Sequence, residues 1–213
     1  MKKTYTYIDG FNLYYGAIKG TPYKWLNLHS LLARKFPKNH IACIKYFTAI
    51  VKSPPWDKNK SNRQMLYLKA LTSYIPNFRY YKGFFLEKPV KMPLANEKQE
   101  GGRMKMVEVI KTEEKGSDVN LAVHLLNDAW KKEYEAAIVV SNDSDLAESI
   151  RLVKQEHGLP IGILNPHIHG KSKASVQLKQ AADFHGTLTM RDLEYAQLPE
   201  RIPGTKYMKP QEW

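Results

Sequence analysis

The chain has 213 residues, enough for one domain with a buried core, and its 43% hydrophobic content is too high for a disordered polymer. Its 33 Lys and Arg outnumber 21 Asp and Glu, a net charge of +12 that favours a polyanionic partner. Cys43 is the single cysteine, which excludes an intrachain disulfide and a multi-cysteine zinc site and suits a reducing, cytoplasmic setting.

In chain order, residues 4–8 (TYTYI) read as a short strand broken at Asp9-Gly10. Helices are expected over 12–18 and 28–35, then a buried strand over 41–51 that stops at Pro54-Pro55. A helix follows over 61–75, with Met65, Leu68, Leu71 and Ile75 on one face. Residues 78–86 and 104–111 read as strands, and the Pro-, Gly- and charge-rich stretch 88–103 between them as a mobile loop. A helix over 118–131 is expected to bury Val119, Ala122, Val123, Leu126, Ala129 and Trp130. Strand 136–140, helix 144–157, strand 160–164, a short helix over 174–182 and a strand over 184–189 complete the pattern.

Apolar strands alternating with amphipathic helices predict a three-layer α/β/α fold around a mostly parallel sheet. Residues 1–189 are expected to form one domain and 190–213, with Pro199, Pro203 and Pro210, an arm packed on it or extending from it. The start MKKTYTYIDG has no apolar run typical of a secretory signal, and no stretch approaches the ~18 apolar residues of a membrane span. No membrane partner is therefore expected.

Ligands of an open parallel sheet bind outside the carboxyl ends of its strands. The first strand delivers Asp9-Gly10-Phe11-Asn12 there, and strand 136–140 delivers Ser141-Asn142-Asp143-Ser144-Asp145. Asp118 opens the helix after Lys115-Gly116-Ser117, at an edge of the same sheet. Carboxylates gathered at one rim repel one another, and the usual compensation is a hard cation with oxygen ligands, Mg²⁺ or Mn²⁺. Each motif also has an ordinary reading. Asp9 starts an Asx-turn, Asp118 caps its helix, and Ser141, Asp143 or Ser144 caps the next one. His167-Ile168-His169 lacks a cysteine and follows the Asn165-Pro166 turn, so it does not read as a zinc site.

The stretches YIDGFNLYYG (7–16), KTEEKGSDVNLAVHLL (111–126) and IVVSNDSDLAESIRLV (138–153), with GILNP (162–166), resemble the NYN domain family of PIN-like nucleases. The resemblance spans essentially residues 5–185. It implies a three-layer α/β fold, an acidic Mg²⁺ or Mn²⁺ site, and RNA cleavage. On motif match it assigns metal binding to Asp9, Asp118 and Asp143, with Asp145 as a further acidic member and Asn12 as an orienting group. Many relatives carry aspartate where this chain has His124 and glycine where it has Asn142. His124 is thus either a core-edge histidine or a group supporting the metal site.

Residues 45–115 hold 15 Lys and Arg against seven Asp and Glu, interleaved with Tyr67, Tyr74, Phe78, Tyr80, Tyr81, Phe84 and Phe85. That mixture suits single-stranded RNA, although most of these rings are expected in the core. Lys115, Lys111 and Arg63, with Ser141 and Asn142, are the candidate substrate contacts, and a homo-oligomer is compatible with the composition. The expected activity is metal-dependent RNA hydrolysis; the alternative is an RNA-binding protein with a degenerate site. A phosphohydrolase or nucleotide binder is disfavoured: DGFN lacks a second aspartate, and GxxxxGK[ST] and GxGxxG loops are absent.

Overall fold

In the computed structural model, described for residues 1–98, 104–168 and 174–213, six parallel strands form one sheet with helices on both faces. Its strands are β1 (Lys2–Asp9), β2 (Asn39–Thr48), β3 (Phe78–Lys82), β6 (Ala136–Val140), β7 (Ile161–Asn165) and β8 (Phe184–Thr187). Their spatial order is β3-β2-β1-β6-β7-β8. The chain runs outward from β1 through β2 to β3, then returns to the other side of β1 with β6. The order therefore reverses between β1 and β6, the switch point where such sheets form a ligand crevice.

One face packs against α1 (Gly10–Leu13), α2 (Leu28–Lys35), α3 (Lys60–Tyr74) and α7 (Met190–Glu194), around Ile8, Ile44, Trp25, Leu68 and Leu193. The other packs against α4 (Ser117–Trp130), α5 (Ala147–His157) and α6 (Val176–Ala181), around Tyr7, Phe47, Leu121, Ile150 and Leu178. Burial on both faces explains why β6 and β7 are apolar throughout rather than alternating. Beyond α7 the chain remains in the first core: Ala196, Leu198 and Ile202 are buried, and Trp25 Nε1 donates to the Pro199 carbonyl at 2.8 Å.

Two expectations are corrected. Residues 88–98 are strand rather than loop: β4 (Phe84–Lys98) and β5 (Met104–Lys115) form an antiparallel hairpin outside the main sheet, while 99–103 lie outside the described residues. Pro89, Pro93 and the neighbouring lysines masked the signal there, because proline is tolerated on an exposed two-stranded ribbon. The buried stripe of α4 is Ser117, Leu121, Leu125, Asp128 and Ala129, whereas Val119, Val123 and Trp130 are exposed. Ala122 and Leu126 pack at the stripe's margin. The helix is apolar over too wide an arc for the buried face to be identified from composition alone. Residues 78–86 also divide at Gly83, where the chain leaves the sheet to start the hairpin.

Candidate metal and phosphodiester site

β1 and β6 end side by side at the reversal point, so Asp9 and the segment 141–143 emerge together. Asp9 caps α1: its Oδ1 accepts from Asn12 N at 2.9 Å, and Oδ2 accepts from Ser141 Oγ at 3.1 Å. The Ser141 hydroxyl in turn accepts from Asp143 N at 3.1 Å. Asp143 caps the 3₁₀ turn 144–146, its Oδ1 taking Asp145 N at 3.0 Å. Asn12 Oδ1 accepts from Asn142 N at 3.0 Å, tying the two strand ends together. The capping readings of Asp9 and Asp143 are therefore true, yet they do not exclude ligation, because a carboxylate has about four acceptor positions.

Asp118 differs. The N-cap of α4 is Gly116, at φ 94°, not Asp118, which sits in the first turn. Among the described residues Asp118 has no hydrogen-bond donor and no ion pair. Burial, followed by the negative charges of Asp9, Asp143, Glu114 and Asp145, pushes its carboxyl up to about 6. Asp9 is raised too, by burial, against the opposing hydrogen bonds from Asn12 and Ser141.

These three aspartates line one open depression of about 270 Å³ with Phe11, Asn12, Tyr15, Glu114, Ser117 and His167. Among the described residues, no three His, Cys, Asp or Glu side chains stand in an arrangement that could by itself hold a metal ion. The donor chemistry nonetheless fits a hard divalent cation: all three acids offer oxygen, and the raised Asp118 marks negative potential with no ion-pairing cation among the described residues.

The remaining candidates fall outside this depression. Asp145 is exposed, and acts on Asp118 only through its charge, as the last of four acids to do so. Lys115 and Lys111 both pair with Glu113 on one face of the hairpin base, the Lys115 contact being 3.1 Å. The hydrogen bonds and charges of the two lysines hold Glu113 down to about 2. Arg63 is held by Asp57, with its Nη2 donating to Oδ1 at 2.7 Å and Oδ2 at 2.6 Å, beside a separate pocket that includes Phe11. Asn142 reaches away through its Oδ1, which accepts from Ser175 N at 2.7 Å. His124 is a core-edge residue, its ring 4.0 Å from that of Tyr81, and does not line the acidic depression. Of the interleaved rings, Tyr67 and Phe78 are buried and Phe84 is exposed.

The sequence reasoning missed Glu114, His167 and Gly83. Glu114 lies inside the quoted KTEEKGSD block; its Oε1 accepts from Ser117 N at 3.2 Å and its Oε2 from Ser117 Oγ at 2.7 Å. His167 lies beside the acids because Gly16 leaves room for its ring, and burial lowers its pKa, keeping it neutral. His169 lies outside the described residues. Gly83 touches the β5–α4 junction, where a Cβ would fall on Glu114 Oε1 and the Lys115 carbonyl.

No helix among the described residues is long and apolar enough to cross a membrane. The chain is 30% identical, over 99% of its length and 75% of the relative's, to the 6-hydroxy-3-succinoylpyridine 3-monooxygenase of Pseudomonas putida. Its fold is similar to a crystal structure of a protein of unknown function from Vibrio parahaemolyticus, with TM-score 0.54, 14% identity, and coverage of 92% of this chain and 97% of that one. A family model for the NYN domain matches residues 3–188, and the chain accordingly belongs to the NYN domain family of the PIN-like nuclease superfamily.

Proposed function

We propose that the protein is a Mg²⁺- or Mn²⁺-dependent ribonuclease acting on single-stranded RNA. The observation that carries this reading is the gathering of Asp9, Asp118 and Asp143 in one depression at the switch-point rim. Asp9, Asp118 and Asp143 would hold the ion, which when bound supplies Lewis-acid polarisation of a phosphoryl oxygen and a lowered pKa for an attacking water. Asn12 and Ser141 fix the orientation of Asp9, and Ser141 also couples it to Asp143. Glu114, braced by Ser117, adds negative charge at the mouth. His167, neutral at pH 7, offers a hydrogen-bonding nitrogen to a phosphate oxygen or leaving hydroxyl. Lys111 and Lys115 flank the path of an RNA backbone at the hairpin base. The alternative, an RNA binder with a degenerate site, would bind single-stranded RNA and leave it uncut under every cation condition.

The test is cleavage of single-stranded RNA with mapped ends, with Mg²⁺, Mn²⁺ or EDTA. Asp143→Asn should abolish the EDTA-sensitive cleavage while leaving the thermal transition in place. Unchanged turnover in that variant would remove the proposed role. The similarity to a monooxygenase across nearly the full chain favours a second reading, action on a small heteroaromatic compound. Intact RNA and DNA under every cation condition, together with oxygenation of a hydroxypyridine, would establish that reading instead.

A further inference from the structure

On the face of the sheet covered by α4, a cleft of about 730 Å³ lies between that helix and the outer strands β2 and β3. It runs toward the amino ends of the strands, away from the acidic rim, and shares no residue with the acidic depression. Covered faces of parallel sheets normally carry apolar side chains. Here β2 and β3 instead direct Lys45, Arg79 and Tyr81 into the cleft. Lys45 and Arg79 are paired across the two strands, and like charges so placed are destabilising unless something offsets them.

Lys45 has its offset within the chain. Its Nζ donates to Asp128 Oδ2 at 2.6 Å, with both side chains buried, and the same oxygen accepts from Tyr7 Oη at 2.6 Å. Arg79 and Lys131 line the same cleft without an ion-pair partner among the described residues. Tyr81, Phe47 and His124 form a three-ring cluster: Tyr81 stacks on Phe47 at 5.2 Å and 15°, and the tilted His124 ring lies 4.0 Å from Tyr81 and 5.6 Å from Phe47. Burial and the neighbouring Lys45 lower the His124 pKa, so the ring is neutral. Lys45 Nζ lies 3.4 Å from His124 Nδ1, which leaves the imidazole proton on Nε2 as a donor. The cleft thus presents two cations outside any ion pair among the described residues, Arg79 and Lys131, with aromatic walls and a neutral donor, while its one other carboxylate, Glu133, accepts from Tyr5 Oη at 3.3 Å. Its volume falls within the range of about 300–1,000 Å³ typical of small-molecule sites.

We propose that this cleft is a second binding site, distinct from the acidic rim, for a small molecule that joins a planar ring to an anionic group. The ring packs along Tyr81 and His124, and the anion lies between Arg79 and Lys131. A nucleoside monophosphate and a heteroaromatic carboxylate share this chemistry. Calorimetric titration of the full chain with adenosine 5′-monophosphate and, separately, with pyridine-3-carboxylate tests the site and distinguishes the two sources. Binding of at least one probe is expected with a dissociation constant of about 1 mM or tighter. Arg79→Ala and Lys131→Ala should each weaken it about tenfold, as for loss of one charge-assisted hydrogen bond. Both positions are exposed, so the melting temperature should hold, and RNA cleavage at the acidic rim should not change. Failure of both probes to bind at millimolar concentration would overturn the proposal. So would binding indifferent to both substitutions, or variants that lose RNA affinity while retaining both probes.

Discussion

Asp118 and Asp128 stand on the same helix, about 15 Å apart along its axis, and meet opposite fates. Asp128 is buried against the sheet and holds two donors on one oxygen, the Lys45 ammonium and the Tyr7 hydroxyl. Burial, reinforced by that hydrogen bond to Asp128, pushes the Tyr7 phenol far above its usual range. Asp118, at the other end of α4, lies among other acids, has no ion pair among the described residues, and its carboxyl is raised. A buried charge satisfied within the chain is explained by folding alone. One that the fold concentrates among like charges is relieved by a proton at low pH, and at neutral pH it is what the proposed cation would offset.

The largest effect should come from the satisfied end. Lys45→Met leaves Asp128 buried without a cation and should cost about 3–5 kcal/mol in chemical denaturation, whereas adding Asp128→Leu and Tyr7→Phe, which removes the hydroxyl that would lose its acceptor, should recover most of it. A neutral single variant would show that the pair is not what holds α4 to β2. At the other end, Asp118→Asn should reduce RNA cleavage about 10²–10³-fold, the scale of losing one preorganised electrostatic group, without loss of fold by circular dichroism. Gly83→Ala affects only the Asp118 end. Its methyl collides with the β5–α4 junction, which should cost about 1–3 kcal/mol and impair cleavage, with the Lys45–Asp128 pair unaffected.

The smallest effect is a pH dependence. A carboxyl raised in the folded state costs nothing below its unfolded pKa, near 3.8; the cost grows with pH and is complete above about 6. In EDTA, Asp118→Asn should therefore melt at or slightly above the wild-type temperature at pH 7.5. The difference should vanish as pH falls to 4. A variant less stable than wild type at pH 7.5 would mean that Asp118 is satisfied in the free protein.

The strands of the main sheet were legible because β6 and β7 are short apolar runs, and β1 a β-branched and aromatic one, each ending at turn residues. Asp9, Asn12, Ser141 and Asp143 could be placed for the same reason: each lies at the end of one of these strands or within three residues of it. What escaped depends on pairing between distant segments. Nothing local to Glu114 or His167 announces a shared depression; Lys111 and Lys115 instead read as free cations until β5 is known to be extended, which puts both on the same side as Glu113. The exposed apolar side chains of α4 misled for a related reason: periodicity identifies an amphipathic helix but not which margin of a wide stripe meets the sheet. His124 could be assigned to the core edge only once Tyr81, from β3, was seen against it.

Titration of the cation-free protein with Mn²⁺, followed by electron paramagnetic resonance, most directly tests whether the rim acids share an ion. Wild type should bind Mn²⁺, with Asp118→Asn and Asp143→Asn each weakening the affinity at least about tenfold. No Mn²⁺ bound at millimolar concentration, or equal binding by all three proteins, would contradict the account.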